Sequence, residues 1–254
     1  ERDKLLYWYI HTFLWGRYAG STESYLNQDL GLIEENDGAL DRLIENLRKN
    51  RGDLNVHSAD FLGWSRGARF YPLIYMLTRV WHAQDWGTGV ELSEHMLGYH
   101  SNLQVHHVFP KAFLYKHGYT KEQVNSLANF VFLTQETNLK ISDRNPTEYL
   151  EEISERFPGA LESHWIPMER ELWHPERYLD FLAARRELLA QGANQFLNSL
   201  LHGEVPETEI SIELNERTKV CPGCVENEEE LQQLIDVNDW VQEQGLPSGE
   251  LEYM

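Results

Sequence analysis

Residues 103–144 read LQVHHVFPKAFLYKHGYTKEQVNSLANFVFLTQETNLKISDR, and the reading of the whole chain turns on them. A histidine pair, His106-His107, closes a short apolar run and leads into Val108-Phe109-Pro110. Asn129 and Asn138 stand nine positions apart, with Phe130-Val131-Phe132-Leu133 between them. Val105, Val108 and Phe109 suggest a short strand. Pro110 then opens a helix to about Lys116, where His117-Gly118 stops it. Thr120 caps a further short helix, and the run NFVFLT over 129–134 is β-rich by composition. Residues 137–142 read as a turn, followed by a helix over 147–157. The order is strand, connection, strand, helix.

Upstream, the pattern is helical throughout. Residues 3–18 put Leu5, Leu6, Tyr9, Ile10, Phe13 and Leu14 near one face. Gly20-Ser21 breaks this helix, and Ser21 suits the N-cap of a second one ending near Ile33. Asn36-Asp37-Gly38 signals a turn, after which 39–49 carry Leu40, Leu43, Ile44 and Leu47 at helical spacing. Residues 70–81 form another apolar helix, with Pro72 tolerable only in its first turn. Trp8, Trp15, Trp64, Trp81 and Trp86 invite a base-stacking reading. Most fall on apolar helical faces, which points to core packing. His11, His57, His82, His95 and His100 show no partner spacing. Downstream, 175–201 read as one long helix. The ISIEL run at 210–214 alternates like an edge strand, and 228–244 hold an acidic helix. Three regions are expected: a helical domain over 1–100, a hairpin-bearing domain over 101–203 and an acidic extension over 204–254.

Charge sets limits on partners. The chain of 254 residues carries a formal net charge of −19. Residues 204–254 hold 14 acidic and 2 basic side chains, whereas 103–144 hold 5 basic and 3 acidic. Phosphate contact depends on local charge, so the total does not exclude nucleic acid, although it disfavours tight non-specific binding by this chain alone. The two cysteines, Cys221 and Cys224, have the spacing of half a zinc knuckle or of a redox pair. No second CxxC occurs to complete a zinc site, and two free thiols in a turn fit the acidic context. With no disulfide framework and no apolar run near the roughly 20 residues that span a bilayer, a cytoplasmic protein without a membrane partner is expected.

The pattern HHVFP, then NFVFL, then Asn138, resembles the HNH or His-Me finger nucleases. The stretch from HHVFPK to NFVFLTQETNLKISDRNPTEYL is similar to the C-terminal nuclease domain of GmrSD-type modification-dependent restriction endonucleases. LLYWYIHTFLWGRYAGSTE is similar to the helices that precede that domain. The resemblance implies a mainly α chain with a small ββα-metal hairpin, an α+β fold. It implies that His106 and Asn138 hold one metal, that His107 is the general base, and that Asn129 fixes the hairpin loop. The cofactor expected from this donor set is Mg²⁺ or Mn²⁺. Lys111, Lys140 and Arg144 are candidate phosphate contacts. Implied partners are DNA, specifically modified phage DNA, an NTP-hydrolysing sensor domain or subunit outside this chain, and a second copy in a homo-oligomer. No glycine-rich phosphate loop occurs, so NTP binding is not expected of this chain. The chemistry is coherent: a divalent ion neutralises the attacked phosphate while a neutral imidazole activates water. Adjacent residues of a regular strand face opposite ways, so both histidines reach one site only at a strand end, where the backbone turns away from the pleat, and the following Val108-Phe109-Pro110 suggests such an end. The alternative is a non-catalytic interaction module on a degenerate HNH fold, in which the histidines are ordinary and each Asn serves a turn.

Overall fold

A computed structural model describes residues 1–34, 37–92 and 103–203. Its helices are α1 (Arg2–Leu14), α2 (Thr22–Ile33), α3 (Ala39–Arg51) and α4 (Tyr71–Val80). Strand β1 (Leu103–His107) follows, then the short α5 (Lys111–Lys116) and α6 (Lys121–Val124), and β2 (Phe130–Thr134). Helices α7 (Gln135–Ile141), α8 (Pro146–Arg156) and α9 (Tyr178–His202) complete the described part. The fold is mainly helical, with one two-stranded antiparallel sheet among the described residues.

Local chemistry explains most element ends. α1 stops at Leu14, short of the expected 18, because the chain turns at Gly16, whose φ of 62° suits a residue without a Cβ. Thr120 and Gln123 form a reciprocal capping box at the start of α6. The Asn145 side chain accepts from the Thr147 amide at 3.2 Å, with Pro146 in the first turn of α8. The turn expected over 137–142 is instead the body of α7. The Thr134 hydroxyl caps it by accepting from the Thr137 amide at 3.3 Å, a signal hidden inside the β-rich run.

α9 is the spine. Tyr178, Phe181, Leu182, Leu189, Ala193, Phe196, Leu197 and Leu200 are buried along its 25 residues. It packs against α1, α4, the 3₁₀ turn Ser58–Leu62 and the 3₁₀ turn Leu127–Asn129. One hydrophobic core thus runs from Tyr7, Ile10 and Leu14 through Leu73 and Leu77 to Val131, Leu133, Tyr149 and Phe181. Each such side chain contributes about 1.5–3 kcal/mol when fully buried. The helical region and the hairpin region share this core.

Among the described residues no helix is long and apolar enough to cross a membrane. The strand expected at 210–214, the acidic helix at 228–244, Cys221, Cys224, His95 and His100 lie outside the described residues.

Candidate metal and phosphate site

β1 and β2 pair with Leu103 opposite Thr134 and His107 opposite Phe130. The ladder continues one residue further, where the Val108 amide donates to the Asn129 carbonyl at 2.8 Å. The strand itself closes at His107, directly before the Val108-Phe109-Pro110 run that suggests its end. Regular pairing carries through His107, and the two rings leave opposite faces of the strand.

On one face lies His106, 4% exposed. Its Nδ1 and the Oδ1 of Asn138, on α7, are 2.8 Å apart in a hydrogen bond. Its ring is T-shaped to both Trp86 and Tyr149. Burial lowers its pKa to about 4, so the ring is neutral at pH 7. Its Nε2 is buried without a protein partner. On the other face lies His107, half-buried, with its ring edge against Phe130 at 4.9 Å and its Nε2 3.3 Å from Asn125 Oδ1. Burial first, then the positive charges of Lys111 and Arg66, hold its pKa near 4. Lys111 and Arg66 are exposed.

Asn129 is fully buried and ties the hairpin loop. Its Oδ1 accepts from the Phe109 amide at 2.8 Å, and its Nδ2 donates to the carbonyls of Phe109 and Val124, each at 3.0 Å. Tyr149 adds a hydroxyl bond to the Val108 carbonyl. These contacts fix the backbone directly after His107. Lys140 and Arg144, by contrast, are paired with Glu136 at 2.5 Å and Glu152 at 2.6 Å. Their positive charge is already partly answered. Lys111 has no carboxylate partner among the described residues, and it neighbours His107.

Several residues that hold this arrangement had no sequence signal. Asp85, fully buried, accepts from the Thr134 amide at 2.9 Å, the Thr137 hydroxyl at 2.5 Å, and the Gly87 amide and Thr88 hydroxyl at 3.1 Å each. It thereby pins the β2–α7 junction that carries Asn138. Gly87 lies so near Thr137 that a Cβ there would collide with its Oγ1. Arg185, on α9, donates to the carbonyls of Ala128 and Phe130 at 2.8 Å each and of His164 at 3.2 Å. Arg66 and Asn125 complete the polar surroundings of His107. Only spatial contact reveals these roles, because the partners lie far away in sequence.

No cluster of three or more His, Cys, Asp or Glu side chains able to hold a metal occurs among the described residues. The expected donor set, one imidazole and one amide oxygen, is of a different kind. The 2.8 Å contact between them is a hydrogen bond in which His106 Nδ1 donates to Asn138 Oδ1, so the two atoms could share an ion only once that proton had moved to Nε2. Asn138 is half-buried, so the pair is approachable from its side. A sparse set of this type suits an ion that keeps most of its waters.

The chain is similar to an uncharacterized protein of Methanocaldococcus jannaschii, with 29% identity over 161 residues. The match covers 61% of this chain and 26% of that protein, so the chain spans about a quarter of the relative's length. No family model matches the chain. No solved structure matches it.

Proposed function

We propose that this chain carries a metal-dependent endonuclease module of the HNH type, acting on DNA within a restriction or anti-phage defence protein. The observation that carries the reading is the contact of His106 on β1 with Asn138 on α7. Residues 32 positions apart meet at 2.8 Å across a hairpin followed by a helix, with Asn129 locking the loop between. In this reading His106 and Asn138 hold Mg²⁺ or Mn²⁺, which when bound neutralises phosphate charge and stabilises the leaving oxygen. His107 is neutral at pH 7 and accepts the proton of the attacking water. Lys111 and Arg66, beside it, attract the phosphate. Asn129 sets the backbone that presents His107. Lys140 and Arg144 would contact phosphate only by leaving Glu136 and Glu152, so Lys111 is the stronger candidate of the three.

A second reading has its own observation. The rings of His106 and His107 leave opposite faces of β1, and His106 sits among Trp86 and Tyr149 as a core side chain does. This favours an interaction module on a degenerate HNH fold. Incubation of the chain with supercoiled plasmid separates the two. Nicked circles that form with Mg²⁺ or Mn²⁺ and vanish with EDTA support the nuclease; intact plasmid under every metal supports the interaction module.

A further inference from the structure

On the face of the hairpin opposite His106, one neighbour decides which nitrogen of His107 is basic. The Nε2 of His107 lies 3.3 Å from the Oδ1 of Asn125. An amide oxygen accepts and never donates, so this contact is a hydrogen bond only when the proton sits on Nε2. A neutral imidazole carries one N–H and one lone pair, and the lone pair then belongs to Nδ1. Nδ1 makes no hydrogen bond among the described residues, so it is the nitrogen left to receive a proton.

Asn125 is held so that its oxygen stays on that side. Its Nδ2 donates to the Lys121 carbonyl at 2.8 Å, one turn back in α6, so a rotated amide would set oxygen against oxygen. Its backbone amide donates to the same carbonyl at 3.0 Å, and its own carbonyl accepts from the Ser65 amide at 2.9 Å. The Leu127 amide donates to the Gly63 carbonyl at 3.1 Å, and Trp64 forms an antiparallel bridge with Ser126. Segment 63–65 thus clamps 125–127, and the acceptor for His107 is preorganised.

The ring is steadied from another side by its edge-on contact with Phe130, at an interplanar angle of 83°. Lys111 and Arg66, the cations that bear on His107, offer only donors and cannot compete with Asn125 for the Nε2 proton. The adjacent His106 is the opposite case. Its Nδ1 donates to Asn138, so the two rings carry their protons on different nitrogens.

We propose that Asn125 is a positioning residue that holds His107 as its Nε2–H tautomer and reserves the bare Nδ1 for the attacking water. The role as base rests on the nuclease reading; the tautomer assignment does not. As the water oxygen bonds to phosphorus, its proton passes to Nδ1 and the bond from phosphorus to the leaving oxygen breaks. The leaving oxygen takes a proton from solvent, and the imidazolium keeps its Nε2–H on Asn125. In the other tautomer two acceptors would face each other at Asn125, and Nδ1 could take no proton.

Two-bond proton–nitrogen spectra of the full chain, recorded without metal at pH 7.5, test the tautomer, with His107 assigned by the signals lost in His107→Gln. A protonated Nε2 and a bare Nδ1 are expected in the parent. Asn125→Asp keeps an acceptor toward the ring but cannot donate to Lys121, whereas Asn125→Leu removes both bonds. The Asp variant should therefore retain the parental tautomer, and the Leu variant should show a mixture of the two. In plasmid nicking, Asn125→Leu should be about 10-fold slower than the parent at an unchanged metal midpoint, with Asn125→Asp close to parental. Equal losses in both variants would mean that Asn125 serves only to cap α6, and would overturn the proposal. A protonated Nδ1 in the parent, or an unmixed Nε2–H tautomer in Asn125→Leu, overturns it too. A parent chain that nicks nothing removes the nuclease reading, while the spectra still decide the tautomer.

Discussion

Arg185 is a guanidinium with 1% of its surface exposed, and it answers three carbonyls rather than a carboxylate. Burial lowers its pKa to about 9, so it remains charged at neutral pH. Replacing it with Met would fill the space and strand three acceptors at once. We expect Arg185→Met to lower unfolding free energy by about 1–3 kcal/mol, read from the urea midpoint. A second consequence concerns pH. His164, bonded to the Gln84 carbonyl at 3.0 Å, has its pKa lowered to about 4, and His11 to about 3, burial being the main cause for both. Unfolded, each titrates near 6.5, so between that value and about 4 the unfolded chain binds more protons. Stability should therefore hold above pH 6.5 and fall as pH drops below it. Urea midpoints at pH 7.5, 6, 5 and 4.5 check this, and a His11→Phe variant should show a shallower fall. At this scale the sequence is legible where partners are local. Thr120 could be read as a cap because its target, the Gln123 amide, lies three residues on. The bonds of Asp85 to Thr134 and Thr137 and of Arg185 to Ala128 and Phe130 could not, since those partners lie 49 to 57 positions away and only the fold brings them together.

The hairpin and α7 form the element on which the proposed activity depends. The sequence predicts both strands, and β2 begins one residue later than expected because Asn129 belongs to a 3₁₀ turn. α7 was hidden, since Thr134 is both the last strand residue and the cap of the helix. The junction rests on Asp85, whose two oxygens accept from two amides and two hydroxyls. An Asn there would turn an NH₂ group toward donors. Asp85→Asn should cost about 1–3 kcal/mol and loosen α7. Hydrogen exchange at residues 135–141 should accelerate more than exchange in α9, and equal acceleration in both would argue that Asp85 serves the whole core instead. The strand end is legible: Val-Phe-Pro after the histidines marks it, β1 closes at His107, and the Asn129 side chain takes the Phe109 amide in place of a ladder partner.

For the whole molecule, composition conveys the fold class well and the distribution of chemistry poorly. Apolar spacing in α1, α3, α4 and α9 predicts a mainly helical chain, and the structure agrees. That the helices before residue 100 and the hairpin after it share one core around α9 could not be read, because periodicity names no partner, and in α1 it misplaced the face: Leu5, Leu6, Tyr9 and Phe13 are exposed while Tyr7, Ile10 and Leu14 are buried. The tryptophan reading also needs refinement at this scale: Trp86 is core, while Trp15 lies half-buried at a pocket beneath Arg51. Net charge hides local contrast of the same kind, since Lys111 and Arg66 flank His107 in a strongly acidic chain. The central claim is that His106 and Asn138 hold the metal of a hydrolytic site that His107 serves as base from the end of β1. Plasmid nicking rates with Mn²⁺ for the parent, His107→Ala and Asn138→Ala, each first shown to melt at the parental temperature, test it most directly. The account predicts at least a 100-fold loss for His107→Ala, from removal of the base, and a rightward shift in the metal titration for Asn138→Ala. Nicking by His107→Ala at the parental rate would contradict it.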